Sequence, residues 1–327
     1  MSNDRKPIVV VGSINIDLVT SAERIPLVGE TITGTGFQFQ HGGKGANQAV
    51  AVARLGYPVR MVGKVGDDPF GAQLVGKLET SGVDVAGVGV SQGNSGIASI
   101  VVSANGENSI VVIPGANATV TPEFLEEKLD IICSAGLILT QLEIPHETIE
   151  QLAQICVREG IPLILDPAPA RPLSRGLLES VAWFTPNETE AAFYSSDANG
   201  AVNSSSSESI AMKLFEKGVR SMVLKLGARG ALLATDAEHH QMVKPEEVRA
   251  IDTTAAGDAF NGAFATGLLL WKDPLQSARF ATAAAAVSVT RFGAQASMAS
   301  MEEVQELLEL GTDAIKKRSK FQARSIS

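Results

Sequence analysis

A carboxylate beside a cluster of small residues is the most informative feature of this chain. In Asp252-Thr-Thr-Ala255-Ala256-Gly257-Asp258-Ala-Phe-Asn261-Gly262 a strand is expected to end at Asp252, small residues make a turn, and a helix opens near Gly257. The first N–H groups of a helix have no partner inside it, point outward together, and with the helix dipole suit an anion such as a phosphate. Ala255, Ala256 and Gly257 are small enough for the backbone to approach that anion closely. Asp258 would repel the same ligand, so it needs a role of its own. Taking the proton from a hydroxyl that attacks a phosphoryl group is such a role; complementing the helix dipole is the competing reading.

Other polar clusters fall where strands end. His41-Gly42-Gly43-Lys44-Gly45-Ala46-Asn47-Gln48 joins a strand-rich segment to a helix start, and Lys44 and Asn47 offer donors suited to hydroxyls. A plain glycine turn feeding a helix explains those residues equally well. Gly12-Ser-Ile-Asn15-Ile-Asp17 follows the first strand, where Asp17 could bind sugar hydroxyls or satisfy loop amides. Gln141-Leu-Glu143 leaves a carboxylate after a buried strand. Asn187 and Glu190, three apart, could organise the water shell of Mg²⁺, or simply form an acidic first helical turn. Lys225-Leu-Gly227-Ala-Arg229-Gly230 is a glycine turn that would suit a nucleotide.

Several signals fail on closer reading. Gly71-Ala-Gln-Leu-Val-Gly76-Lys77 has P-loop spacing, but Leu78 replaces the required hydroxyl and the segment reads as helix. No G-x-G-x-x-G follows the first strand. His239-His240 sit in a polar turn, and His41 and His146 lack partners at transition-metal spacing. Two cysteines, Cys133 and Cys156, are too few for a disulfide framework and point to a reducing, cytoplasmic setting. A net charge of −9 and 5% aromatics argue against nucleic-acid and anionic-membrane partners. No run approaches the length of a membrane span, and Met1–Pro7 does not read as a signal peptide.

The elements that must position these groups are legible in outline. With 327 residues, 45% of them apolar, the chain can bury a large core. Pro7–Gly12 predicts a buried first strand, and further strands are expected near 59–63, 136–141, 162–166, 183–186 and 221–226. Helices are expected over 45–55, 70–82, 257–270 and 277–289. That alternation implies an α/β fold with a mainly parallel central sheet covered by helices on both faces. Residues 16–40 and 97–113 instead alternate as exposed antiparallel strands, with a hairpin turn at Asn105-Gly106. They suggest a small β-sheet lid beside the ends of the parallel strands. The expected organisation is one domain over 1–310 carrying that lid, with a basic tail, 311–327, and a serine-rich surface loop near 195–207.

Taken together, these residues resemble the ribokinase-like (PfkB) family of sugar and nucleoside kinases, from about Val9 to about Ser297. Gly42-Gly-Lys-Gly-Ala-Asn47 and Asp252-Thr-Thr-Ala-Ala-Gly-Asp258 match the two family signatures, and Pro186-Asn-Glu-Thr-Glu190 and Asp166-Pro-Ala-Pro-Ala170 also match. The first block is closer to the ribose-phosphorylating members than to fructokinases and adenosine kinases. The resemblance implies that Asp258 is the base for the 5-hydroxyl of D-ribose attacking ATP, with Ala255, Ala256 and Gly257 as the anion hole. It implies ribose contacts from Asn15, Asp17, Gly43, Lys44, Asn47 and Glu143. ATP contacts would come from Asn187, Lys225, Gly227, Arg229, Gly230 and Thr282, and Glu190 would hold Mg²⁺ through water. An activating monovalent cation, typically K⁺, would lie by Asp252, Thr254, Ser288, Arg291, Gly293 and Ser297, mostly on backbone oxygens. The lid would mediate a homodimer. Ala296 stands where relatives often have proline. The remaining readings are a kinase for another sugar or a nucleoside, a sugar-sensing binding protein without catalysis, and a structural protein assembling through a β edge.

Overall fold

The run Ile8–Val11 forms the strand β1, and its side chains alternate between two cores, Ile8 and Val10 in one, Val9 and Val11 in the other. A strand apolar on both faces must be covered on both, which is the condition of a parallel sheet between helix layers. The computed structural model describes residues 5–196 and 206–311. Residues 197–205 of the serine-rich stretch, and the basic tail from 312 onward, lie outside the described residues.

After β1 the strands are β2 (Asn15–Ala22), β3 (Gly36–Gly42), β4 (Val59–Gly66), β5 (Asp84–Ser91), β6 (Gly96–Ser103) and β7 (Asn108–Ile113). There follow β8 (Leu137–Gln141), β9 (Leu163–Asp166), β10 (Trp183–Phe184), β11 (Met222–Lys225), β12 (Ala231–Ala234) and β13 (His240–Val243). The large sheet has nine strands in the order β13-β12-β11-β10-β9-β8-β1-β4-β5. Its pairs are parallel except for β12 and β13, which join one edge antiparallel. The helices Lys44–Arg54, Ala256–Trp271 and Pro274–Ser288 pack on one face, and His146–Glu159 and Ser207–Glu216 on the other. This is the expected α/β architecture. The chain adds β4 and β5 on one side of β1 and then crosses to β8 on the other. A crevice therefore opens at the carboxyl ends of β1 and β8, the usual ligand position in such sheets.

The segments expected to form a lid make a separate sheet in the order β3-β2-β6-β7. Its outer pairs are antiparallel as expected, but β2 and β6 run parallel through eight registered positions. The reason is connectivity: the chain passes through β4 and β5 between them, so no tight turn forces them antiparallel. The turn at Asn105-Gly106 forms as expected, with Gly106 at φ +87°. Residues 23–35 carry no strand and bridge β2 to β3 as a loop. Nor does a strand lead into Asp252, because 244–253 are irregular. Strands β5, β12 and β13 went unforeseen; β5 holds Gly87 and Gly89, which weaken the apolar pattern, and β12 and β13 are only four residues each. The segment with P-loop spacing lies in the Pro69–Thr80 helix, whose N-cap Asp68 accepts from the Gly71 N–H, in keeping with its rejection.

Candidate active site

Two helix starts meet in the crevice. The Lys44–Arg54 helix follows Gly43, held at φ +86°, where a Cβ would lie 2.7 Å from the Asn15 nitrogen. Only glycine fits there, and its turn delivers Lys44, Asn47 and Gln48 onto one helical face. The Ala256–Trp271 helix starts from Ala255, a non-glycine residue in the left-handed region at φ 57°, and no side chain caps it. Its first turn therefore keeps N–H groups for a ligand, although the Ala256 N–H is itself bonded to the Thr253 carbonyl at 3.2 Å. That leaves the Gly257 and Asp258 end of the expected anion hole as the better placed part. A Cβ on Gly257 would sit 3.5 Å from Lys225 Nζ, so the lysine stands directly over this helix start.

Asp258 is buried where the two helices touch. Asn47 Nδ2 donates to its Oδ2 at 3.0 Å, and Gln48 Nε2 donates to its Oδ1 at 3.0 Å. Burial raises its pKa to about 6, against the pull of the Lys44 charge; Asp166 raises it further, while the two amides lower it. A base that ionises near 6 is charged at neutral pH yet basic enough to take a proton. Asp17 rises to about 7 through burial and the charges of Glu143 and Asp258. Burial opposes the Lys44 charge, but the carboxylates of Asp258, Asp166, Glu143 and Glu190 outweigh it and raise the lysine's pKa.

The residues expected to contact the sugar converge. The Lys44 N–H donates to Glu143 at 3.1 Å, and Ser13 Oγ donates to the same carboxylate. Arg171 donates to the carbonyls of Leu142 and Ile144, pinning the chain on either side of Glu143. A Cβ on Gly42 would approach Asp17 Oδ2 to 2.3 Å, so the carboxylate lies against a bare backbone. The Asn15 oxygen accepts from Asn117 Nδ2 at 2.7 Å, which ties it to the 3-10 turn Gly115–Thr119 and leaves the amide nitrogen for a ligand.

On the other side a cavity of about 710 Å³ is lined by Lys44, Asn187, Glu190, Lys225, Gly227 and Thr282, among others. Asn187 and Glu190 form a capping box: each oxygen of Glu190 accepts from Asn187, at 2.8 and 2.9 Å. One lone-pair direction on each oxygen remains, which fits contact with a metal's waters better than direct ligation. Burial raises the Glu190 pKa, against Lys225. Among the described residues no group of three or more His, Cys, Asp or Glu side chains could hold a metal directly. Arg229 is not among the residues lining the cavity; its exposed guanidinium pairs with Glu188, which does line it. Gly230, at φ +89°, turns the chain where a Cβ would strike the Val243 carbonyl at 2.1 Å. Thr282 lines the cavity, but its hydroxyl donates to the Ala278 carbonyl on its own helix.

The loops expected to hold a monovalent cation lie side by side. Asp252 Oδ1 accepts from the Thr254 N–H and hydroxyl, and its Oδ2 from the Gly293 N–H at 2.9 Å. Burial pushes the Asp252 pKa up, but these bonds outweigh it. The Ser297 hydroxyl donates to the Ala294 carbonyl, the Ser288 hydroxyl to the Ala285 carbonyl, and the Arg291 side chain pairs with Glu303. These side chains are turned to other partners, which leaves backbone oxygens as the donor set, a composition suited to a large, weakly hydrated cation.

Sequence reasoning missed several buried partners. Gln141 and Asp166 end strands that are otherwise apolar or small, Leu-Ile-Leu-Thr-Gln and Leu-Ile-Leu-Asp, and a polar residue ending such a run is a usable signal. Gln48 directly follows the glycine-lysine block. Asn117 stands in a short 3-10 helix, Gly115–Thr119, and Arg171 in a loop, and neither carries a comparable mark.

The chain matches the model of the pfkB family carbohydrate kinases over residues 5–301. It is 42% identical over 306 residues to the ribokinase of Bacillus subtilis (strain 168), covering 92% of this chain and 99% of that protein. The crystal structure of the Thermotoga maritima ribokinase is similar with a TM-score of 0.86 at 38% identity, over 93% of this chain and 99% of that one. The Arabidopsis thaliana ribokinase complexed with ribose and ATP has a TM-score of 0.86 at 35% identity, over 93% and 99% of the two chains.

Proposed function

The chain belongs to the pfkB family of carbohydrate kinases, and on that premise we propose that it transfers the γ-phosphoryl group of ATP to the 5-hydroxyl of D-ribose. The observation that carries this reading is the buried Asp258, held between Asn47 and Gln48 and set in the first turn of an uncapped helix under Lys225. Ribose would lie between Asp17, Lys44, Asn47 and Glu143, with its 5-hydroxyl toward Asp258. ATP would occupy the cavity beside Asn187, Lys225 and Gly227, with its terminal phosphate at the Gly257 amide. Asp258 accepts the hydroxyl proton as the oxygen attacks phosphorus and the bond to the ADP oxygen breaks. Lys225 and the helix start face the charge that spreads over the transferring group.

Glu190 would hold Mg²⁺ through water, and the ion would supply positive charge against the phosphates of ATP. A K⁺ ion would sit on backbone oxygens of the loops at Asp252, Thr254, Ser288, Arg291, Gly293 and Ser297, stiffening the turn that feeds the anion hole without touching substrate. The homodimer contact would be the lid, where all six residues of β7 are exposed at one edge and Phe37 and Phe39 stand more than half exposed on β3 at the other. No helix among the described residues is long and apolar enough to cross a membrane. We assign the enzyme to the cytoplasm, a reducing compartment in which Cys133 and Cys156 stay free thiols.

A coupled ATP-consumption assay tests the reading. ADP release is expected only with an acceptor sugar, fastest with ribose in a panel of pentoses, hexoses and nucleosides, and faster in K⁺ than in Na⁺ at equal ionic strength. Turnover with another acceptor and none with ribose overturns the substrate assignment; equal rates in the two salts overturn the cation assignment.

A further inference from the structure

One buried side chain at the centre of the site has no role in the reaction as described so far. Gln48 is fully buried, and its amide nitrogen donates to two carboxylates at once, Asp258 Oδ1 at 3.0 Å and Asp166 Oδ2 at 2.9 Å. A primary amide carries two hydrogens, so both bonds form together. Its oxygen accepts from Gln141 Nε2 at 2.6 Å, which sets the way the amide faces. Turned over, it would aim an oxygen at both acids and leave the Gln141 donor facing another donor. The remaining Asp166 oxygen takes Lys225 Nζ at 2.9 Å, so a continuous chain runs from Gln141 through Gln48 to the base, with a branch to the lysine over the helix start.

We propose that Gln48, oriented by Gln141, is a positioning residue for phosphoryl transfer: it locks the Asp258 carboxylate toward the acceptor hydroxyl and places a shared donor between two acids that would otherwise repel. This rests on Asp258 being the base. The groups that face Asp258 are Lys44, Asn47 and Gln48 from one helix and Asp166 from β9, with Asp17 of β2 coupled to it by charge. Lys44 and Asn47 remain when Gln48 is changed, so the acid still ionises, but with one stabilising donor fewer. Amide donors favour the charged carboxylate, so losing one makes the acid hold its proton to higher pH.

The test compares wild type, Gln48→Met, Gln141→Leu and Asp258→Asn for kcat, ribose KM, melting temperature and the acid limb of kcat/KM against pH. Methionine keeps the length of the side chain and removes both donors. Gln48→Met is expected to lower kcat about ten- to a hundredfold, to leave ribose KM within about threefold, and to move the acid limb to higher pH. Gln141→Leu, which reaches the acid only through Gln48, is expected to move kcat and the limb the same way by less, and carries the test alone should Gln48→Met not fold. An unmoved acid limb, with or without a lower melting temperature, overturns the positioning role. Asp258→Asn separates the two claims: retained turnover there refutes the base itself, whereas an inactive Asp258→Asn beside an unmoved limb in the glutamine variants refutes only the inference.

Discussion

Asp258→Asn is expected to lower turnover at least about a hundredfold while ribose still binds, the scale of losing a positioned general base. The carboxylate accepts from two amides, and asparagine offers only one acceptor, so its own N–H₂ must face either Asn47 or Gln48. That conflict disturbs the local amides without emptying the site, because Glu143 and the Lys44 N–H that donates to it are held together without Asp258. In the wild type, kcat/KM should fall as pH drops through about 6, since Asp258 must be ionised to act and its pKa is raised to that value, chiefly by burial. Steady-state kinetics with calorimetric ribose titration check the variant; turnover within a few-fold of wild type is the contrary result.

Lys44→Met should cost about 3 kcal/mol of unfolding free energy at pH 8, in the range found when one partner of a buried ion cluster is removed. Lys44 faces Asp258, Asp166, Glu143 and Glu190, and without it those carboxylates repel with no cation from that helix among them. The sign follows from the shifts. The lysine's pKa is raised in the folded state, so its contribution is present at all pH values below its normal ionisation and disappears only on strong alkalinisation. One of its partners changes earlier: Asp258, near 6, is mostly neutral by pH 5. The variant's deficit should therefore be smaller at pH 5 than at pH 8. Denaturant melts at the two values measure it, and a deficit that is absent at pH 8, or equal at both, contradicts the cluster.

The fold was legible where apolar runs were strong. Ile8–Val11, Leu137–Gln141 and Leu163–Asp166 read as buried strands because each is apolar on both faces, and the Asn105-Gly106 turn because few dipeptides favour positive φ as that one does. The β5 strand was hidden by its glycines, and the parallel pairing of β2 with β6 by the long excursion between them, which no local pattern records. At the site, Asp258 could be singled out because a carboxylate at a helix start suited to an anion is anomalous in any fold. Gln48 and Asp166 could not be paired in advance, since their contact joins a helix to a strand 118 residues away. Where the Arg229 side chain goes was not legible either: a glycine turn shows that the backbone bends there, but not that the guanidinium pairs with Glu188.

The most direct measurement is a crystal structure with ribose and a non-hydrolysable ATP analogue bound together. The 5-hydroxyl should lie within about 2.6–3.2 Å of an Asp258 oxygen, on the opposite side from the leaving phosphate bridge, with the terminal phosphate on the Gly257 amide and Lys225. A sugar bound with that hydroxyl turned from Asp258, or a terminal phosphate seated away from the start of the Ala256–Trp271 helix, would contradict the mechanism.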